Sequence, residues 1–296
     1  MKFGSLIFSL GSLAFFSACN PSTPVKTYVE APSVSGVPTD PPKRIVSLDY
    51  CADQYVLKMV EPERILAVSP DADKAFSYMR ETAEKLKKKG LKSVRSSAED
   101  VLILKPDLVV RSYGGGPNAT RFFEKAGIPV LNVGWAGDID GIKRVTREMA
   151  DGLGVPETGE AIVMDMESRL AAIEAKDGAE SVLYMTPSGV TSGPGSLVDE
   201  MLTSAGLINF QTEPGWRPLP LERLAYEQPE LVAAAFFDTN DFKKDKWSAM
   251  RHPIAKKQIE TLPTVSLSGA IMSCGGWFTL DGIEALASHR DTEGFR

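Results

Sequence analysis

Short apolar runs alternate with amphipathic stretches along the chain from Lys43 onwards. Runs such as "RIVSL", "RILAVS" and "DLVVRS" are predicted to be strands, because each places several apolar or β-branched residues in succession between polar ones. Stretches such as "ADQYVLKMV" and "NATRFFEKAG" carry apolar residues at helical spacing and are predicted to be helices. Strands that alternate with helices predict a mainly parallel α/β sheet.

A long helical region interrupts this alternation. It runs through "DIDGIKRVTREMADGLG" and, after a break near Gly154 and Pro156, through "PETGEAIVMDMESRLAAIEAKDG". The second part predicts a helix of about twenty residues, roughly 30 Å long. The alternation then restarts at "SVLYMT". The pattern therefore predicts an α/β protein with an N-terminal lobe over residues 43–137, an interlobe helical region over 138–178 and a C-terminal lobe over 179–296.

One short phrase occurs in each predicted lobe. In "SSAEDVLILKPDLVV" and "PLERLAYEQPELVAA" a glutamate is followed seven positions later by a proline, an acidic residue and Leu-Val. The two glutamates are Glu99 and Glu222, and each phrase predicts a short helix before a buried strand. Four identical residues in eleven positions are explained either by coincidence or by a helix-strand motif that the two lobes share. A glutamate in the first turn of a helix is also favoured by about 0.3 to 1 kcal/mol whatever its function.

Composition and charge exclude one class of partner. The chain has 296 residues, of which 43% are hydrophobic and 24% charged, as in ordinary globular proteins. Its formal net charge of −6 leaves no basic surface for a phosphate backbone. We therefore expect no nucleic-acid partner.

The first residues have the features of an export signal. Lys2 precedes the apolar run "FGSLIFSLGSLAFFSA", which ends at Cys19 and resembles a bacterial lipoprotein signal. We expect residues 1–18 to be a signal peptide and Cys19 to be lipidated; a plain secretory peptide or a spanning helix is the alternative. Residues 20–42 contain six prolines with Ser and Thr, so residues 19–42 are predicted to be a lipidated cysteine with a disordered tether. The expected location is the periplasm, with membrane contact through the lipid anchor only.

Motifs for catalysis are missing from the sequence. The glycine-rich segments "YGGGPN" and "TSGPGSL" lack the Gly-Lys-Ser/Thr of a P-loop and are interpreted as flexible loops. There is no G-x-S-x-G elbow, and two histidines, His252 and His289, are too few for a histidine-rich metal site. We expect a binding protein with no cofactor or metal site of its own. A surface hydrolase that reuses the fold and a structural lipoprotein without a ligand are alternatives from other classes.

Aromatic residues follow the predicted strands, where α/β sheets place their ligand crevices. The candidate ligand-binding residues are Tyr50, Cys51, Tyr113, Trp135, Trp216, Arg217, Phe237 and Trp277. A single tryptophan more often packs than binds, but several in loops beside an arginine favour a cleft for a large flat or ring-shaped ligand. The cysteines other than Cys19 are Cys51 and Cys274, which can pair as a disulfide or stay as free thiols.

Five stretches resemble a known family, the periplasmic solute-binding proteins of ABC importers for iron-siderophores, haem and cobalamin. They are, in order, "RIVSLDYCADQYVL", "PERILAVS", "SSAEDVLILKPDLVV", "VTSGPGSLVDEMLTSAGLINF" and "WRPLPLERLAYEQPELV". The resemblance covers the chain from Lys43 to the last predicted helix. It implies two α/β lobes joined by one long interlobe helix, with the ligand cleft between the lobes.

The resemblance also implies partners. In the family, one exposed glutamate on each lobe docks into an arginine pocket of a permease subunit, and by motif position these are Glu99 and Glu222. The implied function is that of a monomer which captures a small metal chelate, a ferric siderophore or cobalamin, and delivers it to the ABC permease. Arg217 and the tyrosines favour an anionic siderophore, whereas the tryptophans favour a neutral corrinoid. A haem-binding protein of the same class is the alternative, with Tyr50 or Tyr113 as the iron ligand.

Overall fold

The computed structural model describes residues 40–173, 180–235 and 248–293. The predicted signal peptide, Cys19 and Phe237 lie outside the described residues. Two separate parallel sheets follow one another along the chain, one on each side of a helical region. The predicted α/β class with mainly parallel sheets is therefore confirmed.

The N-terminal lobe is built on a five-stranded parallel sheet of order β3-β2-β1-β4-β5. Its strands are β1 (Ile45–Ser47), β2 (Ile65–Val68), β3 (Lys92–Ser93), β4 (Leu108–Arg111) and β5 (Val130–Asn132). Its helices are α1 (Tyr50–Met59), α2 (Arg80–Lys88), α3 (Ala98–Ile103) and α4 (Ala119–Lys125). Every residue of β1 and β4 is buried, as expected for parallel strands covered on both faces.

Helix α2 begins later than its apolar pattern predicts. The stretch "KAFSYMRETAEKLKKKG" predicts a helix from Lys74 that ends at Gly90, but residues 74–79 form turns and bends and the helix starts at Arg80. The Gln54 side chain on α1 explains the difference, because it accepts a hydrogen bond from the Met79 N–H at 2.7 Å and donates one to Ser77 Oγ at 2.9 Å. These bonds to the Gln54 side chain give polar groups of the segment hydrogen-bond partners without helix formation.

Two packed helices, α5 (Ile139–Leu153) and α6 (Pro156–Ala171), connect the lobes. Gly154 ends α5 with a φ of 70°, and Pro156 begins α6, so the break falls where the sequence predicts it. Helix α6 has 16 residues, about 24 Å, which is shorter than the twenty predicted. Across the part of the chain that is described, no helix combines the length and the apolar character needed to cross a membrane.

The C-terminal lobe has a four-stranded parallel sheet of order β11-β10-β6-β8. In chain order its strands are β6 (Ser181–Met185), β7 (Val190–Ser192), β8 (Ile208–Asn209), β9 (Trp216–Pro218), β10 (Leu231–Ala235) and β11 (Thr264–Leu267). Its helices are α7 (Leu197–Ser204), α8 (Pro253–Thr261), α9 (Gly269–Met272) and α10 (Thr279–Glu293). Strands β7 and β9 form a separate antiparallel pair. The predicted short helix in "LERLAYE" is only a 3₁₀ turn, Arg223–Ala225.

The lobes share one hydrophobic core rather than meeting only at the connecting helices. Buried side chains of this core come from both lobes and from the helices between them, including Tyr55, Ile142, Met166, Met201 and Ile283. Burial of each such side chain stabilises the fold by about 1.5 to 3 kcal/mol. A charged contact adds to it, because Arg169 on α6 pairs with Asp281 and Glu284 on α10 at 2.6 and 2.7 Å. The described residues therefore hold the two sheets together through packed helices.

The repeated phrase occupies equivalent places in the two sheets. Strand β4 pairs with β1 and β10 pairs with β6, both in parallel. In the first lobe Asp107 accepts hydrogen bonds from the Lys43 and Arg44 N–H groups, each at 2.8 Å. In the second, Glu230 accepts one from the Ser181 N–H at 2.7 Å. The acidic residue of each phrase thus accepts hydrogen bonds from backbone N–H groups at or just before the first residue of the neighbouring strand. This common role favours a shared helix-strand motif over coincidence.

Candidate functional site

Asp49 organises the carboxyl ends of β1 and β4. Its buried carboxylate caps α1 by accepting a hydrogen bond from the Ala52 N–H at 3.0 Å. Its other oxygen accepts bonds from three successive backbone N–H groups, those of Ser112, Tyr113 and Gly114, at 2.7, 3.1 and 2.8 Å. Four backbone donors converge on one carboxylate, so the loop after β4 is fixed against the start of α1.

The carbonyl oxygens of the glycine-rich loop after β4 are also hydrogen-bonded. The Arg111 guanidinium donates to the carbonyl oxygens of Gly114 at 2.7 Å and of Gly116 at 3.0 Å. Gly114 also lies so close to the chain that an added Cβ would be 2.6 Å from the Leu48 carbonyl oxygen. The segment interpreted from the sequence as a flexible loop is therefore a tightly bonded one.

Three aromatic side chains, Tyr50, Phe76 and Tyr113, form an aromatic cluster at this edge of the sheet. The ring centroids of Tyr50 and Phe76 are 4.9 Å apart and those of Tyr50 and Tyr113 are 5.9 Å apart, both edge to face. Tyr113 is 53% exposed, and the other two are half-buried. The sequence predicts Tyr50 and Tyr113 as site residues but misses Phe76, which it assigns to a helix. Its position shortly after β2 is the signal that identifies it.

A cavity of about 370 Å³ opens beside the aromatic cluster. It is lined by residues that follow β1, β2, β3 and β4, namely Leu48, Asp49, Ser69, Pro70, Asp71, Arg95, Ser96, Tyr113 and Gly114 to Gly116. The carboxyl ends of neighbouring parallel strands are the usual place for ligands in open α/β sheets. Arg95 and Asp71 supply opposite charges in its wall, and neither is predicted from the sequence.

The phenol groups of the cluster are uncharged at neutral pH. Burial raises the pKa of Tyr50, the hydrogen bond with the Ser273 side chain opposes this rise, and the nearby carboxylates of Asp49 and Asp71 add to it. Burial, followed by the Asp49 carboxylate, likewise raises the pKa of Tyr113. Both side chains therefore present a neutral ring and a hydroxyl group that donates a hydrogen bond.

A buried carboxylate lies beneath the cavity wall. Asp53 on α1 accepts hydrogen bonds from Ser69 Oγ at 2.5 Å and from the Ser69 N–H at 3.1 Å. Burial raises the pKa of Asp53 to about 6, although the nearby side chains of Ser47 and Ser69 lower it. This contact fixes the first residue of the cavity-lining loop after β2 to α1.

The two lobes meet next to the aromatic cluster. Cys51, in the first turn of α1, forms a disulfide with Cys274, which lies between α9 and α10, and their Cα atoms are 5.7 Å apart. The Tyr55 hydroxyl donates to the Gly275 carbonyl oxygen at 3.4 Å. The pairing that the sequence leaves open is thus a disulfide. Cys51, predicted as a ligand contact, is a covalent link between the lobes rather than a free thiol.

Trp277 lies in the core. Only 5% of its surface is exposed, and its ring packs edge to face on those of Tyr55 and Phe278, each with centroids 5.2 Å apart. A buried indole cannot form the wall of an open cleft. The structure therefore assigns Trp277 a packing role in place of the predicted ligand contact.

The other predicted contacts lie on exposed parts of the chain. Trp135, after β5, and Trp216, on β9, are both exposed, and Trp216 packs against Tyr184 with ring centroids 6.1 Å apart. Arg217 is paired with Glu213 at 3.6 Å. Within residues 40–173, 180–235 and 248–293, no hydrogen bond, ion pair or ring contact joins these three side chains to the aromatic cluster.

Glu99 and Glu222 are both exposed, as the docking prediction requires. Glu99 is in the first turn of α3, where Ser97 Oγ accepts a hydrogen bond from the Asp100 N–H at 3.3 Å. Glu222 immediately precedes the 3₁₀ turn Arg223–Ala225. Among the described side chains, no group of three or more His, Cys, Asp or Glu residues could hold a metal ion.

Comparison with known proteins identifies one family model, described as periplasmic binding protein, which matches residues 45–261. No curated protein matches the chain. Among solved structures, the haem-binding protein HutB of Vibrio cholerae is 17% identical, with a TM-score of 0.66, covering 83% of this chain and 97% of that one. A periplasmic haem-binding protein from Pseudomonas aeruginosa is 23% identical, with a TM-score of 0.59 and coverages of 84% and 92%. The vitamin B12-binding protein BtuF of Vibrio cholerae is 18% identical, with a TM-score of 0.57 and coverages of 86% and 99%.

Proposed function

The chain belongs to the periplasmic binding protein family, and on that premise we propose that it captures a metal chelate outside the cytoplasm and delivers it to the permease of an ABC importer. The observation that carries the proposal is the aromatic cluster of Tyr50, Phe76 and Tyr113 beside a cavity of about 370 Å³. Aromatic faces at the carboxyl ends of parallel strands suit a ligand with a large planar or ring-shaped framework. The family is one of transport components rather than enzymes.

The proposed ligand is a ferric siderophore or a corrinoid. The neutral phenols of Tyr50 and Tyr113 offer hydrogen-bond donors next to apolar ring surface. Arg95 in the cavity wall provides a positive charge for an anionic chelate, although Asp100 pairs with it at 2.9 Å. Arg217 is similarly paired with Glu213. An anionic ligand would have to compete with these carboxylates, whereas a neutral corrinoid would rely on the rings alone.

Haem is the second candidate ligand, and one observation favours it. Tyr113 places a half-exposed phenol in the cavity wall, and tyrosinate is an established axial ligand of ferric haem. Two of the three solved structures named above are of proteins described as haem-binding. In this case the phenol would bind the iron as tyrosinate and release its proton to solvent, and the raised pKa of Tyr113 makes this loss of the proton more costly.

The proposed location is the periplasm, with Cys19 lipidated and residues 19–42 acting as the tether to a membrane. The Cys51–Cys274 disulfide supports export, because structural disulfides persist in oxidising compartments. Metabolic labelling with radioactive palmitate tests the anchor. The full chain should take up label and the Cys19→Ser variant should not; label retained by the variant would contradict the assignment.

A titration of tryptophan fluorescence with the exported protein tests the ligand class. Ferric siderophores of different chemical types, haemin and cyanocobalamin serve as probes. We expect saturable quenching by one of them and recovery of that compound unchanged. Binding of none would support a structural lipoprotein, and conversion of the probe into a product would support a surface hydrolase, so either result would contradict the proposal.

A further inference from the structure

Each copy of the repeated phrase exposes a large apolar side chain four residues after its glutamate. Ile103, which follows Glu99, is 77% exposed, and Tyr226, which follows Glu222, is 90% exposed. Two residues after each glutamate the side chain is instead buried, as Val101 in one copy and Leu224 in the other. The two lobes therefore present the same pair of positions, an acid and an apolar residue, to the solvent.

Neither apolar side chain gains much from the folding of its own lobe. Full burial of a side chain of this size stabilises a fold by about 1.5 to 3 kcal/mol. Ile103 and Tyr226 remain in water, so most of this stabilisation is absent. Exposed apolar residues that occur singly are ordinary on protein surfaces. Two of them at equivalent positions of two sheets, each beside an exposed carboxylate, form a pattern that single occurrences do not explain.

An ion pair lies near each glutamate, although its two residues occupy different positions in the two copies. In the first copy Arg95 is paired with Asp100 at 2.9 Å. In the second, Arg223 is paired with Glu227 at 2.7 Å. Glu99 and Glu222 form no ion pair with any other described residue. Each surface therefore offers a carboxylate that is available to a cation, with an apolar side chain next to it.

We propose that Ile103 and Tyr226 are apolar contacts of two docking surfaces, each of which engages one subunit of the permease together with Glu99 or Glu222. This inference rests on the proposed function, because the partner is the permease of the importer. The partner chemistry is an arginine flanked by an apolar pocket, present once in each of two like membrane subunits. Insertion of the apolar side chain removes water from the neighbouring ion pair, which strengthens it.

The test replaces both apolar residues at once. The variant Ile103→Ser with Tyr226→Ser is introduced at the chromosomal locus, and uptake of the chelate that quenches the wild-type protein is measured in cells. The matched control is Met164→Ser with Ile208→Ser, at residues 62% and 56% exposed that lie outside the repeated phrase. We expect uptake to fall by about tenfold or more in the first variant and to stay near the wild-type level in the control. The amount exported and the Kd for the chelate should be unchanged in both.

A photo-crosslinking amino acid provides a second measurement. Placed at position 103 or 226, it should crosslink to a permease subunit that mass spectrometry identifies, whereas at position 164 it should not. Wild-type uptake by the Ile103→Ser, Tyr226→Ser variant, or no permease crosslink from either position, would overturn the inference.

Two outcomes separate this inference from the proposal on which it rests. If the alanine variants of Glu99 and Glu222 lose uptake while the serine variants of Ile103 and Tyr226 do not, only the inference fails. If the wild-type protein binds none of the chelates, or its deletion leaves their uptake unchanged, both fail.

Discussion

Cys51 and Cys274 are joined by a disulfide although 223 positions separate them in the sequence. The bond connects the first turn of α1 in the N-terminal lobe to the segment between α9 and α10 in the C-terminal lobe. It lies one residue from Tyr50, a member of the aromatic cluster. The covalent link thus limits separation of the lobes at the edge where the candidate site is found.

Removal of this disulfide should destabilise the protein. We expect Cys51→Ser with Cys274→Ser to lower the free energy of unfolding by about 2 to 5 kcal/mol, because a cross-link over a long loop restricts the unfolded chain. Denaturant unfolding of the exported protein measures the change. A reducing agent should lower the stability of the wild type and leave the double variant unaffected. Equal stability of the two proteins under oxidising conditions would contradict this expectation.

Loss of both Glu99 and Glu222 should abolish uptake without changing ligand affinity. Glu99→Ala with Glu222→Ala removes the carboxylates of the proposed contacts to permease arginines and leaves the candidate site untouched. The matched control is Glu63→Ala with Glu157→Ala, which removes two other exposed glutamates. Glu63 lies in the 3₁₀ turn Pro62–Arg64, and Glu157 lies in the first turn of α6. Uptake and Kd are measured for both variants. Normal uptake by the first, or loss in the control, would contradict the assigned role.

The ring of Tyr113 should contribute to ligand affinity. Tyr113→Ala removes the most exposed member of the aromatic cluster, and we expect the Kd to rise by about tenfold. Tyr113→Phe keeps the ring and removes the hydroxyl group. Its affinity should stay near the wild-type value if the ligand stacks on the ring and should fall if the phenol binds haem iron. Phe122→Ala, at an exposed aromatic residue on α4, is the control, and fluorescence titration is the measurement. Wild-type affinity in Tyr113→Ala would exclude the residue from the site.

Asp53 should make the protein more stable in acid relative to an uncharged variant. Its folded-state pKa of about 6 lies above the value near 3.8 of an unfolded chain, so the folded state binds the proton more tightly. The resulting stability is present below pH 4 and is lost as the pH rises through 6. We expect the difference in unfolding free energy between wild type and Asp53→Asn to change by about 2 to 3 kcal/mol from pH 4 to pH 8, in favour of the variant at high pH. Denaturant unfolding across this range is the measurement, and a difference that does not vary with pH would show that Asp53 has an ordinary pKa.

The sequence predicts the central strands well and the short ones poorly. Strands such as β1 and β4 are buried throughout and therefore read as continuous apolar runs. Strands β3 and β9 are wholly exposed, so no apolar run or alternation marks them. Helix α2 is predicted too long because the bonds from Gln54 that replace its first turn come from a distant part of the chain.

The sequence predicts those features of the candidate site that depend on where a residue stands relative to a strand, and it does not predict contacts between distant segments. The rule that ligands bind after parallel strands selects Tyr50 and Tyr113, and the structure brings these two rings together. The same rule selects Trp277, whose burial depends on packing against Tyr55, a residue 222 positions earlier. The pairing of Cys51 with Cys274 is likewise a contact between distant segments, and no spacing in the sequence specifies it.

The equivalent placement of the repeated phrase has a consequence for how the protein approaches a partner. Strands β4 and β10 hold equivalent places in the two sheets, and the pairs Glu99 with Ile103 and Glu222 with Tyr226 come at the same distance along the chain before them. On the proposed function, a permease made of two like subunits can therefore receive this single chain in two orientations, with one acidic contact to each subunit in both. Isoleucine and tyrosine differ in size and polarity, so the apolar contacts are where such a permease would distinguish the two orientations.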